Sequence, residues 1–444
     1  MNRRLPAGLV GVLALTSVLV LGNGTAAFAA TVTGTVGDYS YTADDADIAA
    51  GATVTSYDTS GGLAANIPSS VTLGGQLYAV TGIGTAAFEA DNLASVTIPD
   101  SVTTIGDFAF YDDNLTSVVF PDSLISIGDS AFYQDQLTTL TIPDSVTTVA
   151  LAAFSGDPLT SLTIGDSVTT IDGGAFGDND LTSVTIPDSV TYIGVEAFAD
   201  DQLASVTLGD SVATIDDSAF ARNHLTSVTI PGSVTTIVDR AFESNPLTSV
   251  TIGDSVTTVG DGAFFTNSGS MRVEFLGAAP TNFGSASGGK SLGNAAGVTV
   301  YYNWAFDAAQ VAGGFTTPTW EGYATVEQAT VAFDSSGHGT APADQDVAVG
   351  SAASKPADPT AGGYIFTGWY TSPALSAPVN FSDPITANTT YYAGWSTLAT
   401  TGVTISPLTL PLVGLALVLG LALILFTQRK RNRARRNDTA PPLD

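Results

Sequence analysis

The side chains able to do chemistry are few and poorly placed for it. Two histidines, His224 and His338, and no cysteine stand among 444 residues. A histidine triad or a zinc site needs partners at matching places. His224 instead occupies a recurring position held elsewhere by Asn92, Asn114, Gln136, Pro158, Asp180, Gln202 and Pro246. His338 lies in the turn Ser335-Ser336-Gly337-His338-Gly339. The sequence therefore points away from an enzyme and from any metal or other cofactor. Without cysteine there is no disulfide framework and no thiol chemistry.

Two columns of polar residues remain to be weighed. Asp100, Asp122, Asp144, Asp166, Asp188, Asp210 and Asp254 recur at one place, with Gly232 interrupting. Stacked about 5 Å apart, two such charges repel by about 0.8 kcal/mol in water and by less with salt. Solvated turns tolerate that. The alternative is calcium held between copies, but one column supplies too few oxygens for six to eight ligands. The second column is Thr97, Val119, Thr141, Thr163, Thr185, Thr207, Thr229 and Thr251. As a ladder of hydroxyls it stabilises a sheet through cross-strand contacts. As a candidate binding face it offers a flat polar surface to a protein or glycan, without the aromatic anchors typical of energetic hot spots.

Both columns exist because the chain repeats. A leucine opening "LTSVTI" or a variant stands at Leu93, Leu115, Leu137, Leu159, Leu181, Leu203, Leu225 and Leu247, in steps of 22 residues. The Phe of an "AF" pair keeps the same step from Phe88 to Phe264. Fixed self-similarity on this scale signals a stacked-repeat solenoid. Within one copy, Val184 and Ile186 alternate with Ser183 and Thr185 as a half-buried strand requires. Pro187-Asp188 turns the chain, and Val190-Thr191-Tyr192-Ile193 forms a second short extended piece. A helical turn is expected before Ala197-Phe198, capped in several copies by an aspartate, as at Asp107, Asp129, Asp217, Asp239 and Asp261. One copy buries too little apolar surface to offset the entropy of ordering its backbone, so the copies must lean on one another.

The phrase "LxxVxIPDSVTTIGDxAF" resembles the BspA-like, or Treponema-type, leucine-rich repeat of bacterial surface proteins. The resemblance covers residues 86–268, with Gly165, Gly209 and Gly253 in place of Pro and Ala150-Leu151 in place of Gly-Asp. Residues 30–85 and 269–323 lose the period and suit the roles of N-terminal and C-terminal caps. Residues 324–396, with Pro356, Pro359, Gly363-Tyr364, Phe366, Gly368-Trp369-Tyr370, Phe381 and Tyr392-Trp395, resemble the internalin B-type (Listeria–Bacteroides) repeat. That resemblance implies a small β-grasp-like module whose aromatics form a core rather than a ligand platform.

The two ends carry address signals. Residues 1–29 read as a signal peptide: Arg3 and Arg4, an apolar run from Leu9 to Leu21, and Ala27-Phe28-Ala29 for cleavage. An uncleaved anchor is the alternative. Near the other end, Leu398-Ala399-Thr400-Thr401-Gly402 (within 397–402) precedes an apolar run over 403–428 and a basic tail over 429–444. The run is long enough to span a bilayer as a helix, and the tail would hold its end in the cytoplasm. This order is similar to a Gram-positive sorting signal in its L-A-x-T-G form. That resemblance implies a class E-like sortase as a partner, cleavage after Thr401 and transfer to peptidoglycan. The alternative is an unprocessed membrane anchor.

Net charge is −29, with eight of the 13 basic residues at the two ends. Between the ends only Arg222, Arg240, Arg272, Lys290 and Lys355 offset 40 acids, a surface that repels nucleic acid. The sequence thus predicts a mainly β protein. A leucine-rich-repeat solenoid with 22-residue rungs is followed by a small β-grasp-like module and a C-terminal transmembrane helix. Its expected role is that of an exported, surface-anchored adhesin or binding protein of a Gram-positive cell, contacting an unidentified host or surface protein or glycan. A structural envelope component without a specific ligand is the alternative.

Overall fold

The computed structural model describes residues 31–267, 270–284, 291–293, 297–309, 311–317 and 319–398. The chain divides into two compact units, one comprising residues up to 332 with 343–355 and 380–390, the other 333–342, 356–379 and the residues from 391 onward.

Each 22-residue copy in the first unit is one rung of a parallel stack. Its second short strand forms an unbroken ladder with its equivalents: Ser126–Ile127, Thr148–Val149, Thr170–Ile171, Tyr192–Ile193, Thr214–Ile215 and Thr236–Ile237 follow one another in register. Thr170 faces Tyr192 and Ile171 faces Ile193, an offset of one repeat. Together with the cap strands this ladder makes a 14-stranded sheet. At its start lies an antiparallel sheet of Thr31–Val36, Tyr39–Asp44 and Ala52–Tyr57.

The stretch around the Ala-Phe pair is not helical. In every rung two residues, two before and two after the Phe, take left-handed backbone angles, as at Glu196 (φ 55°) and Asp200 (φ 59°). The reason is a third ladder. Glu196, Phe198 and Asp200 donate their amide N–H groups to the carbonyls of Asp217, Ala219 and Ala221 in the next rung. Three inter-rung bonds per turn outweigh the cost of left-handed geometry at side-chain-bearing residues. Two of the aspartates expected to cap helices bridge rungs instead. Asp107 Oδ1 accepts from Asp129 N at 3.0 Å, and Asp239 Oδ1 from Asp261 N at 2.8 Å.

With backbones in register, like side chains stack on like. All nine recurring phenylalanines are fully buried, their rings 4.8–5.8 Å apart and within about 21° of parallel. Tyr57 covers the first ring of this file at 5.6 Å. The leucines at Leu93 through Leu247 are equally buried.

A buried polar file runs beside them. In four rungs it is asparagine. Asn223 Oδ1 accepts from Leu203 N at 2.9 Å, and its Nδ2 donates to Phe198 O at 2.7 Å and Phe220 O at 3.3 Å. Asn179, Asn245 and Asn267 repeat the pattern. At Asp113, Asp135, Asp157 and Asp201 one carboxylate oxygen makes the same acceptor bond.

The first strands pair less regularly, and proline explains why. Ladders join Thr139–Thr141 to Ser161–Thr163, Ser183–Thr185 to Ser205–Thr207, and Ser227–Ile230 to Ser249–Ile252. In each pair the earlier rung ends on Pro (143, 187, 231) and the later on Gly (165, 209, 253). A Cβ at Gly209 would sit 2.3 Å from the Pro187 carbonyl oxygen, and one at Gly253 would sit 2.4 Å from that of Pro231. Glycine alone permits that approach. Where proline stands on the following rung, between Gly165 and Pro187 and between Gly209 and Pro231, the first-strand pairing opens, although Ala64–Asn66 and Ser95–Thr97 pair ahead of Pro68 and Pro99. Within the closed pairs Asp144 Oδ1 accepts from Asp166 N, and Asp188 Oδ1 from Asp210 N, both at 2.9 Å. Beyond the repeats, Met271–Phe275, Val298–Asn303 and residues 324–328 continue the first-strand ladder in parallel.

In the second unit Tyr364–Tyr370 pairs antiparallel with residues 392–397. Its core is aromatic. Phe333, Trp369 and Tyr391 are buried, with Phe333 centred 5.0 Å from Trp369. Trp395 Nε1 donates to Ser335 O at 2.8 Å.

One expectation is corrected. Among the described residues no helix is long and apolar enough to cross a membrane, and the helices are three 3-10 turns. The fold is a mainly β solenoid of leucine-rich-repeat type, and the C-terminal transmembrane helix expected over 403–428 is not part of it. That segment, the basic tail 429–444 and the N-terminal 1–29 lie outside the described residues.

Urea unfolding should rank the two packing devices. Phe198→Ala, which interrupts the ring file, is expected to lose about 3–5 kcal/mol. Gly209→Ala, which drives a methyl into the Pro187 carbonyl, should lose about 1–3 kcal/mol.

Candidate binding surface

The threonines marked out by the sequence lie on the outward side of the first strands. Thr97, Thr141, Thr163, Thr185, Thr207 and Thr229 are exposed and Thr251 is half-buried. Their hydroxyls take part in none of the described hydrogen bonds. Threonines immediately before the second strands differ. Thr103, Thr169, Thr191, Thr235 and Thr257 each donate Oγ1 to the carbonyl one rung earlier, at 3.1–3.3 Å. Thr160 and Thr248, immediately before first strands, do the same at 3.1 Å, so the hydroxyls that bond rung to rung sit just ahead of the strands and the outward threonines of the first strands make no such bond.

One part of this face is concave. A groove of about 760 Å³ is lined by residues 117–120, Asp122, 139–145 and 163–166. It brings Thr141 and Thr163 together with Val119 and with Asp122, Asp144 and Asp166. Thr97, Thr185, Thr207, Thr229 and Thr251 do not line it.

The groove follows from the proline rule. Pro99, Pro121 and Pro143 occur in consecutive rungs with no glycine between them. The stretch Ser117-Val118-Val119 pairs with neither neighbour and forms no strand. Phe120 adds to this by standing where other rungs have Ile or Leu. Its ring turns inward, edge-on to Phe132 at 5.5 Å and Phe154 at 6.2 Å. Val119, directly before it, is 82% exposed. Val119, Asp122, Asp144 and Asp166 were not marked out as a binding group by sequence reasoning. The available signal was a valine in a threonine column followed by a phenylalanine in an isoleucine column.

Chemically the groove offers free hydroxyls, carboxylates and one exposed branched aliphatic chain. These suit hydrogen-bond donors and cations with some apolar area. Among the described residues no group of three or more His, Asp or Glu is arranged to hold a metal ion. His224 is exposed, its backbone N–H bonded to Leu203 O at 2.9 Å. His338 is stacked on Tyr364 in the second unit at 3.9 Å. Of the sorting-type motif, Leu398 is exposed and donates its N–H to Gly363 O at 2.8 Å. Ala399, Thr400, Thr401 and Gly402 lie outside the described residues.

Residues 81–201 and 147–272 match the BspA type leucine rich repeat region, in six copies, and residues 330–394 match the Listeria-Bacteroides repeat domain. No curated protein matches the chain. Among solved structures, a leucine-rich repeat protein from Bacteroides ovatus ATCC 8483 is similar at 19% identity, covering 66% of this chain and 90% of that one, with a TM-score of 0.41. A leucine rich cell surface protein from Faecalibacterium prausnitzii A2-165 is similar at 23% identity over 56% of this chain and 95% of that one, TM-score 0.30. The pneumococcal vaccine antigen PcpA is similar at 17% identity over 61% and 93%, TM-score 0.34.

The contrast between the two threonine sets is measurable as stability. Thr169→Ala should cost about 0.5–1.5 kcal/mol, the net worth of one hydrogen bond. Thr141→Ala and Thr163→Ala should stay within about 0.5 kcal/mol of the parent in the same urea titration.

Proposed function

We propose that this chain, whose residues 81–272 are BspA-type leucine-rich repeats, is an exported cell-surface binding protein, an adhesin in the broad sense. Its contact surface is the first-strand face, centred on the groove beside Val119. The single observation that carries this reading is the uneven use of hydroxyls. Those just ahead of the strands are spent on the sheet, whereas Thr141 and Thr163 stay free beside the groove. Asp122, Asp144 and Asp166 favour a ligand rich in hydroxyl or amine donors, which fits a glycan or a basic protein segment. They disfavour nucleic acid and other polyanions. Binding rather than catalysis is the role that a groove without histidine or cysteine supports.

A structural envelope role is the second reading. It is favoured by the inward turn of Phe120, which leaves the groove without an exposed aromatic ring, the usual anchor of a strong contact. The motif Leu398-Ala399-Thr400-Thr401-Gly402 supports covalent attachment to peptidoglycan by a class E-like sortase of a Gram-positive cell.

Two measurements test these readings. On a glycan and surface-protein array the purified protein should give a saturable signal, weakened at least five- to tenfold by Val119→Glu with Thr141→Ala and Thr163→Ala. No saturable signal for any probe supports the structural reading. Mass spectrometry of muralytic digests should find peptidoglycan fragments joined to Thr401. Recovery of only unprocessed protein by detergent would remove the sortase.

A further inference from the structure

The buried polar file contains two chemically different residues doing one job. In each asparagine rung the side chain has an acceptor for the Leu N–H and a donor for phenylalanine carbonyls three and 25 residues earlier. In each aspartate rung the acceptor is present. Asp113 accepts from Leu93 N at 2.9 Å, Asp135 from Leu115 N at 3.1 Å, Asp157 from Leu137 N at 3.2 Å and Asp201 from Leu181 N at 3.3 Å. The second oxygen, Oδ2, of all four is buried and without a hydrogen-bond partner. By the repeat register it occupies the place of the asparagine Nδ2, where the neighbours are acceptors. An ionised oxygen there would face carbonyl oxygens with nothing to donate. A protonated one supplies the missing O–H.

We propose that Asp113, Asp135, Asp157 and Asp201 fold as neutral carboxylic acids that imitate asparagine, making these rungs a pH-responsive segment that loosens as the medium turns alkaline. On ionisation each O–H proton passes to water. The oxygen left behind becomes a buried anion set against phenylalanine carbonyls. The asparagine rungs carry no such proton.

The surroundings support this assignment. Burial pushes the carboxyls far above the usual range, against the opposing backbone N–H bonds, and like charge adds to it at Asp113, Asp135 and Asp201: Asp113 to about 7, Asp135 to about 9, Asp157 and Asp201 to about 8. The titratable groups that face them are acids: Asp91 toward Asp113; Asp112, Asp113 and Asp157 toward Asp135; Asp178 and Asp180 toward Asp201. Asp157 lines a shallow depression with Asp178, Asp180 and Asp200. The cation on the adjoining turn, Arg222, is held by Asp200 at 2.6 Å and Glu196 at 3.6 Å. The folded state thus binds protons that the unfolded chain has released above pH 3.8. The stabilisation is complete below that pH and declines as pH rises toward 7–9. Asp113, Asp135 and Asp157 belong to the rungs that carry the groove, so the loosening falls on the proposed contact surface.

The test compares the full chain with its Asp113→Asn/Asp135→Asn/Asp157→Asn/Asp201→Asn variant by thermal unfolding from pH 5 to pH 9. The variant should be the more stable of the two, by a margin that widens steadily with pH. A margin that does not change with pH overturns the proposal. Infrared spectra near pH 6.5 should show a protonated-carboxyl band in the parent and not in the variant. Should the fourfold variant fail to fold, Asp135→Asn alone must reduce that band. A parent without the band overturns the proposal, and so does stabilisation by added calcium at pH 9, which would make these oxygens cation ligands.

Discussion

Each rung is held to the next by backbone hydrogen bonds on as many as three sides, at an offset of one repeat. That constraint decides the fate of every side chain, because any residue type used once per rung meets itself in the next. For Phe110, Phe132 and their equivalents the outcome is favourable, since flat rings pack at the spacing that strands impose. For Asn223 and Asn245 it is also favourable, because an amide gives a donor to one set of carbonyls and an acceptor to an amide N–H. For aspartate the same geometry is costly. A carboxylate stacked at that interval is desolvated and placed beside its own kind.

The stacked architecture was legible because it rests on period and on apolar identity. The 22-residue step and the buried Phe and Leu files need no knowledge of backbone detail. The turn before each Phe was misread as a helix because local propensity describes an isolated segment. At Phe108, Glu196 and Arg240 the bonds to the next rung place residues of ordinary character in left-handed geometry, which no single-copy reading reveals. The aspartates beside those turns were read as helix caps for the same reason, whereas Asp107 and Asp239 bond forward to the next rung. The C-terminal apolar run invited a membrane-spanning helix on length alone, and no described helix answers to it.

The candidate surface was half legible. The outward threonine column follows from strand alternation, so its exposure could be read directly. Which threonines have free hydroxyls could not, because the same residue recurs before and within the strands and only the fold decides which hydroxyl reaches a carbonyl one rung earlier. The groove was visible only as irregularities, Val119 and Phe120, whose meaning depends on a rule that emerges in three dimensions. From Pro99 to Gly253 a glycine after a proline closes a pair of rungs and a proline after a proline leaves them apart, whereas the strands before Pro68 and Pro99 pair. Gly165, Gly209 and Gly253 are therefore the other half of a two-rung device rather than lapses from the repeat.

That device changes what counts as one copy. From Pro143 to Gly253 the structural unit is a doublet, so lengthening or shortening the array by two copies preserves every junction. Adding a single proline-bearing copy would set proline against proline and cut a fresh seam in the outer face. The phenylalanine file beneath would continue undisturbed. Tandem duplication, slipping by odd or even numbers, would thus either conserve the surface or recarve it, with the same interior serving both histories.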